Sequence, residues 1–389
     1  MLIFLILFIS LYTLCNEPVV LYVHLGKNWV EYLNTSINQV KKFNPNIDVY
    51  LIVDKDNFSK IKNKDVKLID CEKLNKSIEH KKFISEHELP KGFWQFASER
   101  FFYIQNFILD TKIENIIHLE SDIMIFCDLK NQFNKFKQLS QNTSTIGATF
   151  DSENRCIPGI VFINGLIINN LMETFNKEIK VRLNDMQAIS QFRKNYSNNC
   201  ICLPIITPEY HYKYELKSLR NEIPENPNMY FEHADHFGAI FDAASLGQYL
   251  GGIDPIHVNN SSGFINETCV FNPSLLLINW ELDNNKFYVP YIKHEIKKYK
   301  INNLHIHCKR LNDFTDKAIE LEIFKINTDL KNYIDNEIKK SNYDKTLLMY
   351  SSEDKSDNLD AIKYLLYLKA NFDINNFEKK VDIIKNIKK

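Results

Sequence analysis

Two segments, far apart in the chain, carry side chains that could together bind a divalent cation and a diphosphate. The acidic triplet 120–122 places Glu120 and Asp122 directly after an apolar run. In the second segment, His305, His307 and Lys309 alternate with apolar residues. Carboxylate oxygens and imidazole nitrogens are common ligands of divalent metals, and an ammonium group pairs with phosphate oxygens.

The reaction that uses such a set is group transfer with a nucleoside diphosphate as the leaving group. Negative charge builds on the two phosphates in the transition state, and a bridging divalent metal stabilises it. Glu120 and Asp122 would supply carboxylate ligands, His305 or His307 the imidazole, and Lys309 the cation. Taken singly, each motif has a plainer interpretation: a solvated strand-to-loop turn for the carboxylates, and a solvated edge strand for the histidines.

The apolar pattern predicts a parallel α/β sheet that places the carboxylates at a ligand-binding edge. Continuous apolar runs predict buried strands, and segments with helical spacing predict the helices that connect them. The predicted strands are 19–25, 47–53, 66–69, 116–119 and 157–164, and the predicted helices are 28–43, 93–110, 184–193 and 243–249. Ligands of open α/β sheets lie beyond the carboxyl ends of the strands, which is where the acidic triplet follows 116–119.

The alternation over 304–309 predicts one further strand. Since side chains on a strand alternate between its two faces, His305, His307 and Lys309 are predicted to share one face.

Charge and length set broad limits on the function. The chain has 389 residues, enough for one large α/β domain with an appendage. Lys and Arg total 48 and Asp and Glu total 49, so the near-zero balance offers no electrostatic reason to expect a nucleic-acid partner. The eight cysteines show no CxxC pair and no zinc spacing.

The N-terminus predicts entry into the secretory pathway. Residues 1–15 form an apolar run that is too short to span a bilayer, which takes about 20 residues, and that has the length of a signal-peptide core or a short anchor. Eight Asn-x-Ser/Thr triplets give weaker support, because an Asn-rich chain forms many by chance. We therefore expect a lumenal (ER or Golgi) or membrane-associated protein, with one or two disulfides if it is lumenal.

The segments 98–102, 118–122, 241–255 and 303–309 occur in an order that resembles GT-A glycosyltransferases of the kind found in large DNA viruses, bacteria and algae. The resemblance covers roughly residues 19–314. It implies a Rossmann-like mixed, mainly parallel sheet flanked by helices over 16–315. Beyond it, the Lys-, Asn- and Asp-rich residues 316–389 predict a helical C-terminal appendage. The resemblance also implies a nucleotide-sugar donor, most simply a UDP-sugar, and a glycan, protein or lipid acceptor.

The resemblance also implies metal ligands. The acidic triplet corresponds to the DxD motif, which binds metal and donor, although its first residue here is Glu120, so Asp122 is the safer ligand. A late histidine completes the metal shell in such enzymes; between His305 and His307 we favour His307, because it lies next to Lys309. The implied ion is Mn2+ or Mg2+.

Further residues are predicted on the donor side. Lys309 corresponds to a lysine that contacts the diphosphate. Arg100 resembles a basic residue that contacts the donor, although an Arg on a helix surface is the plainer interpretation. We also predict a donor contact for His24, at the end of the first strand.

On the acceptor side, an inverting enzyme needs a carboxylate base near the incoming hydroxyl. The chain offers Asp185, Asp235 and Asp242. Both Asp185 and Asp242 open predicted helices, where a helix cap is the alternative role. A retaining enzyme needs no such base, so the stereochemistry stays open.

Two other classes of function compete with glycosyl transfer. A nucleotidyltransferase of related fold would have a Gly-rich, basic loop after the first strand, and 24–27 is too sparse for that. A catalytically inactive binding or scaffold protein would use the C-terminal tail, where 344–375 resembles a single ankyrin repeat. That reading predicts loss of the metal ligands, which the sequence retains. A lone repeat cannot bury its own apolar faces, so we expect the tail to pack on the catalytic body or to contact a partner protein.

Overall fold

The computed structural model describes residues 17–90, 92–141, 143–177, 183–252, 265–294 and 297–323. The predicted signal peptide (1–15) and ankyrin-like segment (344–375) lie outside these ranges, so both stay predictions. Within the described ranges, no helix has the length and apolar character needed to cross a bilayer.

The described chain alternates strands and helices, as predicted. The strands are β1 Val19–His24, β2 Val49–Val53, β3 Val66–Asp70, β4 Asn115–Leu119, β5 Ile123–Ile125, β6 Thr145–Ser152, β7 Arg155–Asn164, β8 Cys200–Cys202, β9 Ala239–Ile240, β10 Ile278–Leu282, β11 Tyr288–Lys293, β12 Lys298–Ile301 and β13 Asn303–His305. The α-helices are α1 Tyr32–Phe43, α2 Ile78–Glu86, α3 Phe93–Thr111, α4 Leu129–Leu139, α5 Ile168–Lys177, α6 Asp185–Asn195, α7 Pro208–Lys213, α8 Ala234–Phe237 and α9 Leu246–Gly251.

The central layer is a seven-stranded sheet with the order β3-β2-β1-β4-β7-β6-β8. Four of its six pairings are parallel, and β7 alone runs against the other strands. The predicted mixed, mainly parallel sheet flanked by helices is therefore confirmed. The strands that the apolar runs predicted, β1, β2 and β4, are almost entirely buried, because helices cover both faces of the sheet.

Helix α3 shows where burial departs from the predicted pattern. The segment 98–108 is buried, but the first turn is not: Phe93 is 74% exposed and Trp94 is 40% exposed. The helix begins after Gly92, whose φ of 97° favours glycine, and it ends at Lys112 in the left-handed conformation. Its middle is held in the core, and this fixes the direction of Arg100.

Two smaller sheets accompany the seven-stranded sheet, and a strand of the first departs from the sequence prediction. Strand β13 pairs antiparallel with β5 and ends at His305, whereas the alternation predicted a strand through residue 309. The Ile306 amide still donates across to the Asp122 carbonyl (2.9 Å), and the chain then turns, because the Lys309 amide donates to the Ile306 carbonyl (2.9 Å). The second sheet has the order β10-β11-β12-β9.

Cysteine burial bears on the expected disulfides. All seven cysteines in the described residues are free and buried, so the expected disulfides do not form among them. Their apolar burial is typical of cysteines that act as small core side chains.

The start of the predicted tail docks on the body. Residues 316–323 are helical, and Asp316 at their start pairs with Lys42 of α1 at 2.5 Å. The same carboxylate accepts a hydrogen bond from the Tyr288 amide at 3.2 Å. Ile319 is buried, so residues 316–323 pack against the domain; the packing of the rest of the tail stays a prediction.

Candidate functional site

The pairing of β5 with β13 brings the two predicted segments together. Glu120 and Asp122 lie in the turn that leaves β4, and this turn is fixed by a hydrogen bond from the Glu120 amide to the Gly159 carbonyl (3.0 Å). In the β5–β13 ladder, His305 lies opposite Ile123. The last residue of β13 therefore lies directly beside the acidic turn.

Three side chains form a compact group of ligating atoms. His305 Nε2 lies 3.2 Å from Asp122 Oδ2 and 3.5 Å from Glu120 Oε2. One ligating atom from each residue lies within 4.8 Å of the others, and Asp122 and His305 are buried. Among the described residues, this is the group of acidic, histidine and cysteine side chains with a geometry suitable for a metal ion.

The donor set and its spacing fit a divalent cation. Six-coordinate ions such as Mg2+ hold oxygen ligands at about 2.1 Å, so adjacent ligand atoms lie about 3 Å apart. The distances of 3.2 and 3.5 Å match adjacent positions around such an ion. Two carboxylates and one imidazole also suit the borderline ions that accept mixed oxygen and nitrogen ligands.

Of the two histidines, His305 is the one grouped with both carboxylates. His307, the histidine favoured from the sequence, lies beyond the end of β13, in the turn, and does not belong to the group of ligating atoms. Because the strand ends at His305, the two rings do not share one sheet face. His307 was favoured because it lies two residues before Lys309 on the predicted strand, and this shared strand face is lost in the turn.

Lys309 reaches the group through the same turn. Its φ of 63° lies in the left-handed region, and its ammonium pairs with the Asp122 carboxylate. Burial alone would raise the pKa of Asp122, but the adjacent His305 and Lys309 outweigh it and hold that pKa well below its usual range. Asp122 is therefore ionised at physiological pH, as a metal ligand must be.

Arg100 connects the group to a third carboxylate. Its guanidinium pairs with Glu120 through one nitrogen and with Asp185 through the other, at 2.5 Å in the second contact. Burial tends to raise the pKa of Glu120, yet the attraction of Arg100 lowers it overall; for Asp185, burial dominates and raises the pKa. Arg100 therefore holds the Glu120 carboxylate in place, and its predicted contact with the donor stays a prediction.

Asp242 holds His305 by its backbone. One carboxylate oxygen accepts hydrogen bonds from the amides of Ser245 and Leu246 (both 2.8 Å). The other accepts from the amides of Gly247 (2.7 Å) and His305 (2.8 Å). The helix-cap alternative given for this residue is therefore present in the structure. Since all four bonds come from backbone amides, Asp242 fixes the position of β13 relative to α9.

Two glycines make room for His305, and sequence reasoning assigned neither of them a role. A Cβ on Gly247 would lie 2.1 Å from the His305 carbonyl oxygen, and a Cβ on Gly159 would lie 2.9 Å from His305 Nδ1. Only glycine permits such close approach of the backbone. Gly247 lies within the segment 241–255 that carried the resemblance, so a glycine there was a signal for close packing. Gly159 had no such signal.

The structure does not bring every predicted residue into the group. The Asp235 side chain is 61% exposed and pairs with Lys297 and with the Tyr299 hydroxyl (2.5 Å). His24 lies at the carboxyl end of β1, on the same sheet edge as Glu120, and its Nε2 lies 2.9 Å from the Asn28 carbonyl. Burial lowers the pKa of His24, so the ring is neutral at physiological pH. Its donor role and the base role of Asp235 stay predictions.

Comparisons with known proteins give weak structural similarities. No protein-family model matches the chain, and no curated protein matches it in sequence. The chain is similar to the apo form of mouse xyloside xylosyltransferase 1, with a TM-score of 0.39, 10% identity, and coverage of 48% of this chain and 84% of that chain. It is also similar to galactosyltransferase LgtC in complex with donor and acceptor sugar analogues, with a TM-score of 0.36, 12% identity, and coverage of 50% and 77%.

A third similarity is to the glycosyltransferase GlyE of Streptococcus pneumoniae, with a TM-score of 0.31, 16% identity, and coverage of 51% of this chain and 49% of that chain. At these scores, the three similarities decide neither substrate nor reaction. The reaction must therefore be inferred from the residues of the site itself.

Replacing Arg100 by Met should destabilise the protein strongly. The change leaves Glu120 and Asp185 buried without their shared cation, and breaking a buried ion pair costs about 3–5 kcal/mol. The matched control is Arg220→Met, because Arg220 pairs with Glu267 at the surface and such pairs contribute about 0–1 kcal/mol. Chemical denaturation measures both variants. Equal stability of the two would contradict the buried role of Arg100.

Asp242→Asn should weaken metal binding while keeping the fold. The amide group of Asn would point two donor hydrogens at amides that now donate to Asp242, so the backbone of His305 would shift. Changes in groups that orient a ligand typically lower metal affinity about 10–100-fold. Titration calorimetry with Mn2+ measures this, with circular dichroism to check folding. The control is Asp48→Asn, an exposed residue that pairs with Lys67; an unchanged affinity in Asp242→Asn would exclude the positioning role.

Proposed function

We propose that this chain is a metal-dependent glycosyltransferase with a GT-A-type domain, which moves a sugar from a nucleotide-sugar donor to an acceptor hydroxyl. The observation that carries the proposal is the group Glu120, Asp122 and His305 with Lys309 beside it. The group lies at the carboxyl edge of a mainly parallel sheet, the edge where open α/β sheets bind ligands.

The site meets the chief demand of this reaction, which is to stabilise a diphosphate leaving group. Glu120, Asp122 and His305 would hold the divalent ion, which when bound neutralises charge on the departing phosphates. Mn2+ or Mg2+ suits this donor set, and a UDP-sugar is the proposed donor. The sequence resemblance to GT-A glycosyltransferases, on the same residues, supports this choice over other reactions that release diphosphates.

Lys309 has the position and charge to contact phosphate. Its side chain is 31% exposed, and its ammonium now pairs with an Asp122 oxygen. A divalent ion bound to Asp122 would compete for that oxygen. The ammonium would then be available to phosphate oxygens on the open side of the group, with Arg100 still holding Glu120 from the other side.

The acceptor side of the reaction stays a proposal with one favoured residue. Both oxygens of Asp242 are taken by backbone amides, and Asp235 pairs with Lys297 at the surface. Asp185 is connected to the metal group through Arg100, which contacts one of its oxygens, and burial raises its pKa, as it also raises that of Asp242. It is therefore the favoured residue of the three, if the enzyme inverts. The acceptor class is a glycan, protein or lipid hydroxyl.

The proposed compartment is the lumen of the secretory pathway or its membrane surface. The support is the apolar segment 1–15 together with the Asn-x-Ser/Thr triplets. Within the described residues, Asn75 and Asn195 are exposed members of that set, whereas Asn34, Asn57 and Asn266 are buried. Glycosylation at Asn75 and Asn195, but not at the buried positions, is what this compartment predicts.

Asp122→Asn should abolish metal-dependent activity in a folded protein. The change removes one of the two carboxylate ligands and the partner of Lys309, so we expect donor hydrolysis to fall at least about 100-fold. The assay is hydrolysis of a panel of UDP-sugars with Mn2+ present, compared with the same reaction in excess EDTA. The exposed Asp48→Asn variant is the control and should keep wild-type activity. Full activity in EDTA would refute the metal-dependent mechanism.

A further inference from the structure

A second cleft lies outside the charged group, in the segment that follows β8. It has a volume of about 300 Å³, and its lining includes His211, Tyr212, Leu216, Ile223 and Pro224. None of these residues takes part in the metal group or in its ion pairs. The cleft therefore needs an explanation of its own.

The segment that forms the cleft leaves the sheet at the same edge as the acidic turn. Strand β8 is parallel to β6 and, through the antiparallel β7, also to β4. The chain therefore leaves β8 at the edge where Glu120 follows β4. Three strand spacings separate β8 from β4, which is roughly 14 Å at ~4.8 Å for each spacing.

Backbone hydrogen bonds fix the wall of the cleft to the body of the domain. The Lys217 amide, next to Leu216, donates to the Val270 carbonyl at 2.7 Å, and the Val270 amide donates to the carbonyl of Asp151 on β6 at 2.9 Å. At the start of the segment, the Pro204 carbonyl accepts from the Phe241 amide at 2.7 Å, one residue before Asp242. The cleft is thus anchored to the same framework that positions His305.

The side chains around the cleft combine aromatic surface with balanced charge. Tyr212 is 81% exposed and Ile223 is 60% exposed, so a large aromatic and a large aliphatic side chain face solvent at one cleft. The His211 ring stacks on Phe231, with centroids 4.7 Å apart. The lining also contains one lysine and one glutamate, Lys213 and Glu215. Because their formal charges cancel, the cleft has no electrostatic preference for an anionic ligand.

These features match a neutral carbohydrate. The C–H face of a pyranose ring packs against aromatic side chains, while its hydroxyls bond to polar groups at the edge of the ring. We propose that this cleft is an acceptor subsite that binds a neutral sugar unit of an oligosaccharide, with Tyr212 as its stacking platform. This inference rests on the proposed glycosyl transfer.

The test is binding of neutral oligosaccharides to the full chain. Saturation-transfer NMR with lactose, cellotriose, maltotriose, chitotriose, xylotriose and mannotriose identifies a ligand, and titration gives its affinity. Tyr212→Ala should weaken that affinity at least about 10-fold, whereas Tyr212→Phe, which keeps the ring, should retain most of it. Ile78→Ala is the control, since Ile78 is also 81% exposed but lies on α2.

The outcomes separate the subsite from the proposed function. Hydrolysis of UDP-sugars without acceptor should be the same in Tyr212→Ala as in the wild type, because Tyr212 lies outside the metal group. Hydrolysis by the wild type with no oligosaccharide binding, or with binding that Tyr212→Ala leaves unchanged, overturns the subsite alone. A wild type that hydrolyses no nucleotide sugar overturns the proposed function. In that case, oligosaccharide binding that depends on Tyr212 still supports a carbohydrate site.

Discussion

The burial of charge beside the end of β4 is the constraint that the rest of the site satisfies. Asp122 and Asp185 are buried and Glu120 is largely so, and each carboxylate would be costly to place there without a partner. Arg100 pairs with two of them and Lys309 with the third, while His305 lies between Glu120 and Asp122. In space the side chains follow one another in the order Asp185, Arg100, Glu120, His305, Asp122 and Lys309. Each carboxylate thus lies next to a basic side chain, so the position of each depends on its neighbours.

The fold delivers these partners from four separate parts of the chain. Arg100 comes from the buried middle of α3, Asp185 from the first turn of α6, the acidic pair from the end of β4, and His305 from β13. Long buried elements fix Arg100 and the acidic pair. His305 depends on a three-residue strand, and this is why a buried carboxylate with four amide donors, Asp242, is needed to hold that strand in place.

The features that could be predicted from the sequence are those that a local pattern determines: the buried strands and the residues that follow them. Continuous apolar runs located β1, β2 and β4 because strands buried on both faces have no alternation to obscure them. The carboxylates after β4 were found for the same reason, since the end of a run marks the edge of the sheet. The sequence alone therefore predicted both carboxylates and His305 as candidate metal ligands, and Lys309 as a candidate diphosphate contact.

What the sequence could not specify depends on contacts between distant segments. The alternation over 304–309 is compatible with a straight strand. In the structure the Lys309 amide donates to the Ile306 carbonyl and closes a turn over 306–309, and the Lys309 ammonium pairs with Asp122, far away in the chain. Asp242 carries the same side chain whether it caps α9 or acts as a base; in the structure its amide partners include the first amides of α9, and one further amide comes from β13. Arg100 likewise becomes a bridge only because α6 places Asp185 within 2.5 Å.

The charge balance of the site also explains how the ion and the donor would depend on each other. The three carboxylates of Glu120, Asp122 and Asp185 lie beside two permanent cations, Arg100 and Lys309, so the net charge of the group depends on whether His305 is protonated. Burial lowers the pKa of His305, but Asp122 and Glu120 raise it overall. A protonated His305 leaves the group neutral without a metal. With a divalent ion and a neutral His305, the same group carries one net positive charge, beside the partly exposed Lys309. In the proposed mechanism, this charge balance would favour diphosphate binding to the site that holds the ion over binding to the metal-free site.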